Sequence, residues 1–157
     1  MTEVEHLADV FEHSFSGDAW HGPSLMAILK DVDARKAAAH PIAAAHSIWE
    51  LVLHIAGWEE AIRRRIEENN DKLMTEDFPA VTGASETAWK RALAELKSNH
   101  EALGTVIRQL PASRLDQKMT GRGQTVFISV YGVILHCAYH AGQIAVLKKD
   151  AAKDSRQ

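Results

Sequence analysis

Between residues 86 and 109 the chain sets Trp89, Leu93, Leu96, His100, Leu103 and Ile107 in an unbroken 4-3 spacing that Leu110 completes. Such a stripe stays on one side of a helix along its whole length. It must be covered by other helices, so it reads as the seam of a bundle. Ser85 stands where an N-cap belongs, and Pro111 stops the run. Elsewhere Val and Ile fall into helical spacing rather than alternating with polar residues, so no strand is expected.

Three further long amphipathic stretches accompany the seam. The first, roughly 2–16, carries Val4, Leu7, Phe11 and Phe15 on one stripe. The second, about 48–69, carries Leu51, Ile55, Trp58 and Ile62; Ser47 and Glu50 form an S-x-x-E capping box at its start, and Asn69-Asn70-Asp71 ends it. The third, about 125–149, follows the loop Gly121-Arg122-Gly123 and places Lys148 and Lys149 in its last turn, where cations suit the helix dipole. Trp20-His21-Gly22-Pro23 reads as a turn, with Pro23 as the first residue of a short helix holding Leu25, Met26 and Leu29. Four long helices in 157 residues predict an all-α four-helix bundle, one domain over 1–157. The link between the second and third helices, about 70–85, can reach ~50 Å when extended. A helix of about 24 residues is only ~36 Å long. The link is therefore a crossover long enough to pass the whole bundle.

Net charge is −3 with histidine neutral, which leaves no footprint for nucleic acid. The one basic run, Arg63-Arg64-Arg65, is followed by Glu67 and Glu68 and reads as a solvated helix face. No run of 18 apolar residues marks a membrane span. The acidic, amphipathic start is neither a signal peptide nor an Arg-rich transit peptide. The single Cys137 excludes an internal disulfide and fits a reducing compartment, so a cytoplasmic location is expected. These features leave neither nucleic acid nor membrane as an expected partner.

The stretch HCAYHAGQ, residues 136–143, sets two histidines four apart in an otherwise apolar helix. At about 100° per residue, His140 falls about 40° from His136 and Gln143 about 20° to the other side, so all three share one strip. On the second helix Glu50, His54 and Trp58 share a strip that overlaps the inward stripe, so His54 points into the bundle. The six residues 51–56 also echo 133–138, which makes His54 the counterpart of His136. A buried neutral imidazole needs a partner at each ring nitrogen. Three converging histidines meet that need if a divalent metal takes one nitrogen from each, and three histidine ligands leave a position open for water or substrate. The alternative is a set of hydrogen-bonded bundle histidines. Glu50 reads as a capping residue before it reads as a fourth ligand or a base. Gln143 either orients a ligand from outside the metal shell or makes an interhelix bond. His100 reads as a half-exposed seam histidine that can approach the site, and His6, His13, His40 and His46 as surface or loop residues. No role is assigned to His21. Cys137 lies off the strip and reads as a small buried apolar residue.

Three stretches taken together, Trp20-His21-Gly22-Pro23-Ser24-Leu25, His46 through Ala56, and His136 through Ile144, resemble the DinB superfamily in order and spacing, over nearly the whole chain. The resemblance implies an up-down-down-up bundle and a divalent metal, nickel or zinc, held by His54, His136 and His140. It also implies a homodimer. Some relatives are metal-dependent transferases using low-molecular-weight thiols, and others are hydrolases. The expected activity is therefore a transferase in which the metal activates a small thiol. The rivals are a hydrolase that uses metal-activated water, with Glu50 as its base, and a non-catalytic metal-binding dimeric bundle.

Overall fold

A computed structural model describes residues 1–68, 76–119 and 123–151. The fold is all-α. Four long helices carry it: α1 (Glu3–Phe15), α4 (Ile48–Glu68), α5 (Glu86–Gln109) and α6 (Val126–Ala151). Two short helices, α2 (Leu25–Leu29) and α3 (Ala34–Ala38), lie between α1 and α4, and a 3-10 turn at Ala112–Arg114 precedes α6. Helix α4 packs on both α5 and α6, and α1 packs on the same two. The predicted stop at Asn69-Asn70-Asp71 lies outside the described residues, as do Gly121 and Arg122 of the loop before α6.

Local chemistry explains most helix ends. The Ser47 N–H donates to Glu50 Oε2 at 2.7 Å, and the Glu50 N–H donates back to Ser47 Oγ at 3.2 Å, closing the capping box at α4. Thr2 and Glu5 form a second box at α1. Ser85 caps α5 by accepting from the Ala88 N–H. Asp33 caps α3, a helix that periodicity did not suggest. Lys148 in the last turn of α6 donates to the Ile28 carbonyl at 2.7 Å and ties α6 to α2.

Two expectations fail at the start of α2. Asp18–Ala19 (β1) and Gly22–Pro23 (β2) form a minimal antiparallel hairpin, although no strand was expected. Pro23 belongs to that hairpin and not to the helix; Ser24 is the N-cap and Leu25 the first helical residue. The ladder holds Pro23 extended, and Gly22 at φ +130° makes the turn that a side-chain-bearing residue would strain.

Contacts rise together along α4 and α5. Trp49 lies against Trp89, the Ala56 carbonyl accepts from Asn99 Nδ2 and Glu59 meets His100. The two helices therefore run in the same direction, which is what the long link permits. Apolar packing divides into two clusters. One gathers Phe15, Leu25, Trp49, Ile55, Trp89, Leu96 and Ile144. The other gathers Leu7, Phe11, Ile62, Leu103, Ile107, Val130 and Ile134.

His100 is fully buried between these clusters, against the expectation of a half-exposed seam residue. Its ring is stacked between Phe11 at 4.0 Å and Phe15 at 3.7 Å, and its Nδ1 lies 3.1 Å from Glu59 Oε1. Arg65 also departs from its expected place. Arg63 and Arg64 pair with Glu60 on the surface, whereas Arg65 is buried with its guanidinium 5.7 Å over the Trp58 ring. A helical period of 3.6 places Arg65 seven residues past Trp58, on the same face, so three consecutive arginines cannot share one exposure. By length and composition α6 would pass as a membrane span. In this fold it contributes Val130, Ile134, Cys137, Ala141 and Ile144 to the apolar clusters.

Candidate metal centre

His54 reaches inward from α4, and His136 and His140 reach it from adjacent turns of α6. The His54 and His136 Nε2 atoms are 2.8 Å apart, and those of His140 and His136 are 3.1 Å apart. One ligand atom from each of the three lies within 4.8 Å of the others. The juxtaposition is the one their helical strips predicted.

The outer nitrogens decide what the inner ones can do. His54 Nδ1–H donates to the Asp77 main-chain oxygen at 2.7 Å, with the Asp77 carboxylate 3.3 Å away. His140 Nδ1–H donates to Gln143 Oε1 at 2.6 Å. With protons at both Nδ1 atoms, the neutral rings of His54 and His140 present only lone pairs at Nε2. Both point at His136 Nε2, which has at most one proton to share. A cation among the three nitrogens resolves this crowding of lone pairs. Tetrahedral zinc with bonds of ~2.0–2.1 Å sets its nitrogens ~3.3 Å apart, so the two close pairs, His54–His136 and His140–His136, need to open only by a few tenths of an ångström. The donor set therefore fits a divalent metal.

Electrostatics agree. Burial, followed by the neighbouring His140 and His54, lowers the His136 pKa to about 4. Burial also lowers that of His140, with the Gln143 hydrogen bond working against it. Two of the three rings are thus held in the neutral, metal-competent form near neutrality.

The crossover clasps the site. Phe78 is sandwiched between His54, 4.0 Å away and nearly parallel, and His46, 3.7 Å away. Trp58 donates from Nε1 to Asp77 Oδ1 at 3.0 Å and presents a ring edge towards His136. Neither Asp77 nor Phe78 was identified from sequence; both sit in a link with no periodicity, more than 20 residues from the histidine they hold. His46 is no ligand here but one face of the Phe78 stack.

Glu50 stays with the cap. Burial pushes its pKa up, but its Ser47 hydrogen bonds, with His40 and His46 nearby, outweigh that and hold the carboxyl below its ordinary value. Cys137, one residue from a histidine of the cluster, is buried, and burial followed by the nearby Glu59 pushes its thiol up to about 12.

Two cavities lie along α6, and only the smaller has a histidine of the cluster in its wall. One, of about 340 Å³, includes His136, Trp58, Arg65 and Gly132 in its walls. The other, of about 600 Å³, includes Gln143, Tyr139, His46 and Gly142. They share no wall residue, and the His136–His140 turn separates them.

A family model described as the DinB superfamily matches residues 19–144. The chain matches no curated protein and no solved structure.

Proposed function

Because this chain belongs to the DinB superfamily, we propose that it is a divalent-metal-dependent transferase that activates a low-molecular-weight thiol for attack on a second small molecule. The observation that supports this reading is a pair of separate cavities along α6, the smaller reaching His136 and the larger reaching Gln143, the hydrogen-bond partner of His140. A transferase must seat two reactants against one centre, whereas a hydrolase needs one seat and a water. His54, His136 and His140 hold the metal through Nε2, and nickel or zinc suits three imidazoles. When bound, the metal supplies Lewis acidity that draws the proton from a coordinated thiol or water.

The remaining residues have separable tasks. Asp77 and Gln143 fix the tautomer and orientation of His54 and His140. Phe78 and Trp58 shield the cluster from water on the crossover side. Cys137 is no rival to an external thiol, because its own thiol is buried and stays protonated. Glu50 makes a poor general base while its carboxylate is bound to Ser47, which counts against the hydrolase.

The same reading takes the four long helices as one up-down-down-up bundle, which the common direction of α4 and α5 supports. It also takes the protein as a homodimer. Ile128, Tyr131, Leu135, Tyr139 and Val146 leave an uncovered apolar stripe on α6 that a second copy would bury.

The test is turnover of an alkylating electrophile by metal-loaded protein, with and without cysteine, glutathione and other small thiols. Turnover that requires one of the thiols supports the transferase. Turnover indifferent to every thiol overturns it in favour of water as the nucleophile.

A further inference from the structure

The larger cavity, of about 600 Å³, meets the metal centre through Gln143. Its volume falls inside the ~300–1,000 Å³ range of small-molecule sites. Ile42, Ala45, Leu51, Val146 and Leu147 make most of the wall apolar, and no Asp, Glu, Lys or Arg is among the described residues there. Small thiols such as cysteine and glutathione carry carboxylate and ammonium groups, which are costly to bring into such a space without partners. The cavity therefore suits the other reactant.

Gln143 commits one half of its amide and leaves the other. Its Oε1 accepts from His140 Nδ1–H at 2.6 Å. A metal on His140 Nε2 requires that proton at Nδ1, so the amide cannot turn over. Its Nε2 group then lies on the far side from His140 with two hydrogens to donate. Among the described residues no acceptor takes either of them. An acceptor placed there polarises the amide and strengthens the bond to His140 in turn. Tyr139 and Val146, in the stripe read above as the seat of a second copy, form the outer edge of the cavity. The space itself lies between α6, Leu51 of α4 and the segment 42–46, so a second copy would cover its opening and leave its interior to a ligand.

We propose that this cavity binds an uncharged, apolar small molecule carrying a carbonyl oxygen, which accepts a hydrogen bond from Gln143 Nε2, and that this molecule is the second reactant of the transfer. This inference rests on the two-cavity reading above and gives that reactant its chemical class.

The experiment is an NMR titration of the isotope-labelled full chain, metal-free and zinc-loaded, with acetophenone, with its hydrocarbon isostere α-methylstyrene and with benzoate. Wild-type protein is expected to bind acetophenone about fivefold more tightly than α-methylstyrene in both states, the worth of one hydrogen bond. Benzoate is expected to bind more weakly than acetophenone, and the Gln143 side-chain amide to be among the resonances that acetophenone moves. Gln143→Glu keeps an acceptor for His140 but removes the donors, so it is expected to erase the preference for the ketone. Gly142 walls the same cavity, and a Cβ added there meets nothing within 4 Å, so Gly142→Leu reaches into the space without a clash. It is expected to abolish binding of both uncharged ligands with helicity retained. Equal binding of ketone and hydrocarbon by wild-type protein overturns the proposal, as does benzoate bound as tightly as the ketone. So does an unchanged ketone preference in Gln143→Glu, or unchanged ketone affinity in Gly142→Leu, which also decides the matter if Gln143→Glu does not fold. Affinity that falls as protein concentration rises would give the interior to a second copy and overturn it too. A protein that takes up no zinc but still prefers acetophenone through Gln143 would overturn the metal centre and leave the cavity standing.

Discussion

Glu59 and His100 meet at 3.1 Å in the layer between the two apolar clusters, the carboxyl with no exposed surface and the imidazole held between two phenylalanine rings. Among the described residues Glu59 Oε2 has no hydrogen-bond donor. Burial raises the Glu59 pKa above its ordinary value, and the hydrogen bond and charge interaction with His100 only partly offset this.

That direction has a definite consequence for stability. The folded protein keeps a proton on Glu59 that the unfolded chain releases above its ordinary value of 4.5. The contribution is fully present below that pH and is lost as pH rises through the folded-state value, since stability falls wherever the folded state binds more protons. Glu59→Gln is expected to remove this fall. Urea unfolding of both proteins from pH 4.5 to 8 measures it, and identical pH slopes would rule the assignment out.

Each of His54→Ala, His136→Ala and His140→Ala is expected to reduce metal content from about one equivalent to a small residue. Elemental analysis of protein purified without metal affinity is the measurement. Full occupancy in His54→Ala would sink the three-histidine centre, because only His54 brings α4 to it.

Gln143→Ala removes the acceptor that fixes the His140 tautomer. Metal affinity is expected to fall by about 10–100-fold. Gln143→Glu keeps an acceptor at the same place and is expected to retain the affinity. Competition with a chromophoric chelator distinguishes the two. Equal losses in both variants would reduce Gln143 to a packing residue.

Ser47→Ala opens the capping box of α4 about two turns before His54. It is expected to cost about 1 kcal/mol of folding stability. Equilibrium denaturation reads the loss, and metal content is expected to stay at the wild-type level. A metal loss without a stability loss would mean that Glu50 serves the site and not the cap.

The residues that were legible in the sequence carry their signal over one or two helical turns. Ser47 with Glu50 and Ser85 announce helix starts because a cap is satisfied by backbone three residues away. The 4-3 spacing of Trp89 to Leu110 announces a seam, and the four-residue interval from His136 to His140 places two imidazoles on one strip. His54 was found the same way, from the inward stripe it shares with Trp58. Pro23 was misjudged because its fixed φ suits a helix start and a short extended pair equally well, and only the pairing with Asp18 separates them.

What the tertiary structure alone decided lies where two elements meet. Periodicity says which way a helix faces but not how wide its buried arc is. Arg65 and His100 therefore read as surface or border residues until α1, α5 and α6 closed around them. Asp77 and Phe78 belong to a crossover with no pattern of its own. Their grip on His54 exists only because the link returns across α4, a contact between residues distant in sequence that no local rule contains. The three ligand candidates were thus set by helical geometry within α4 and α6. Their protonation, their shielding and the cavities beside them were set by packing between elements, because burial and partner distance are properties of the assembled fold.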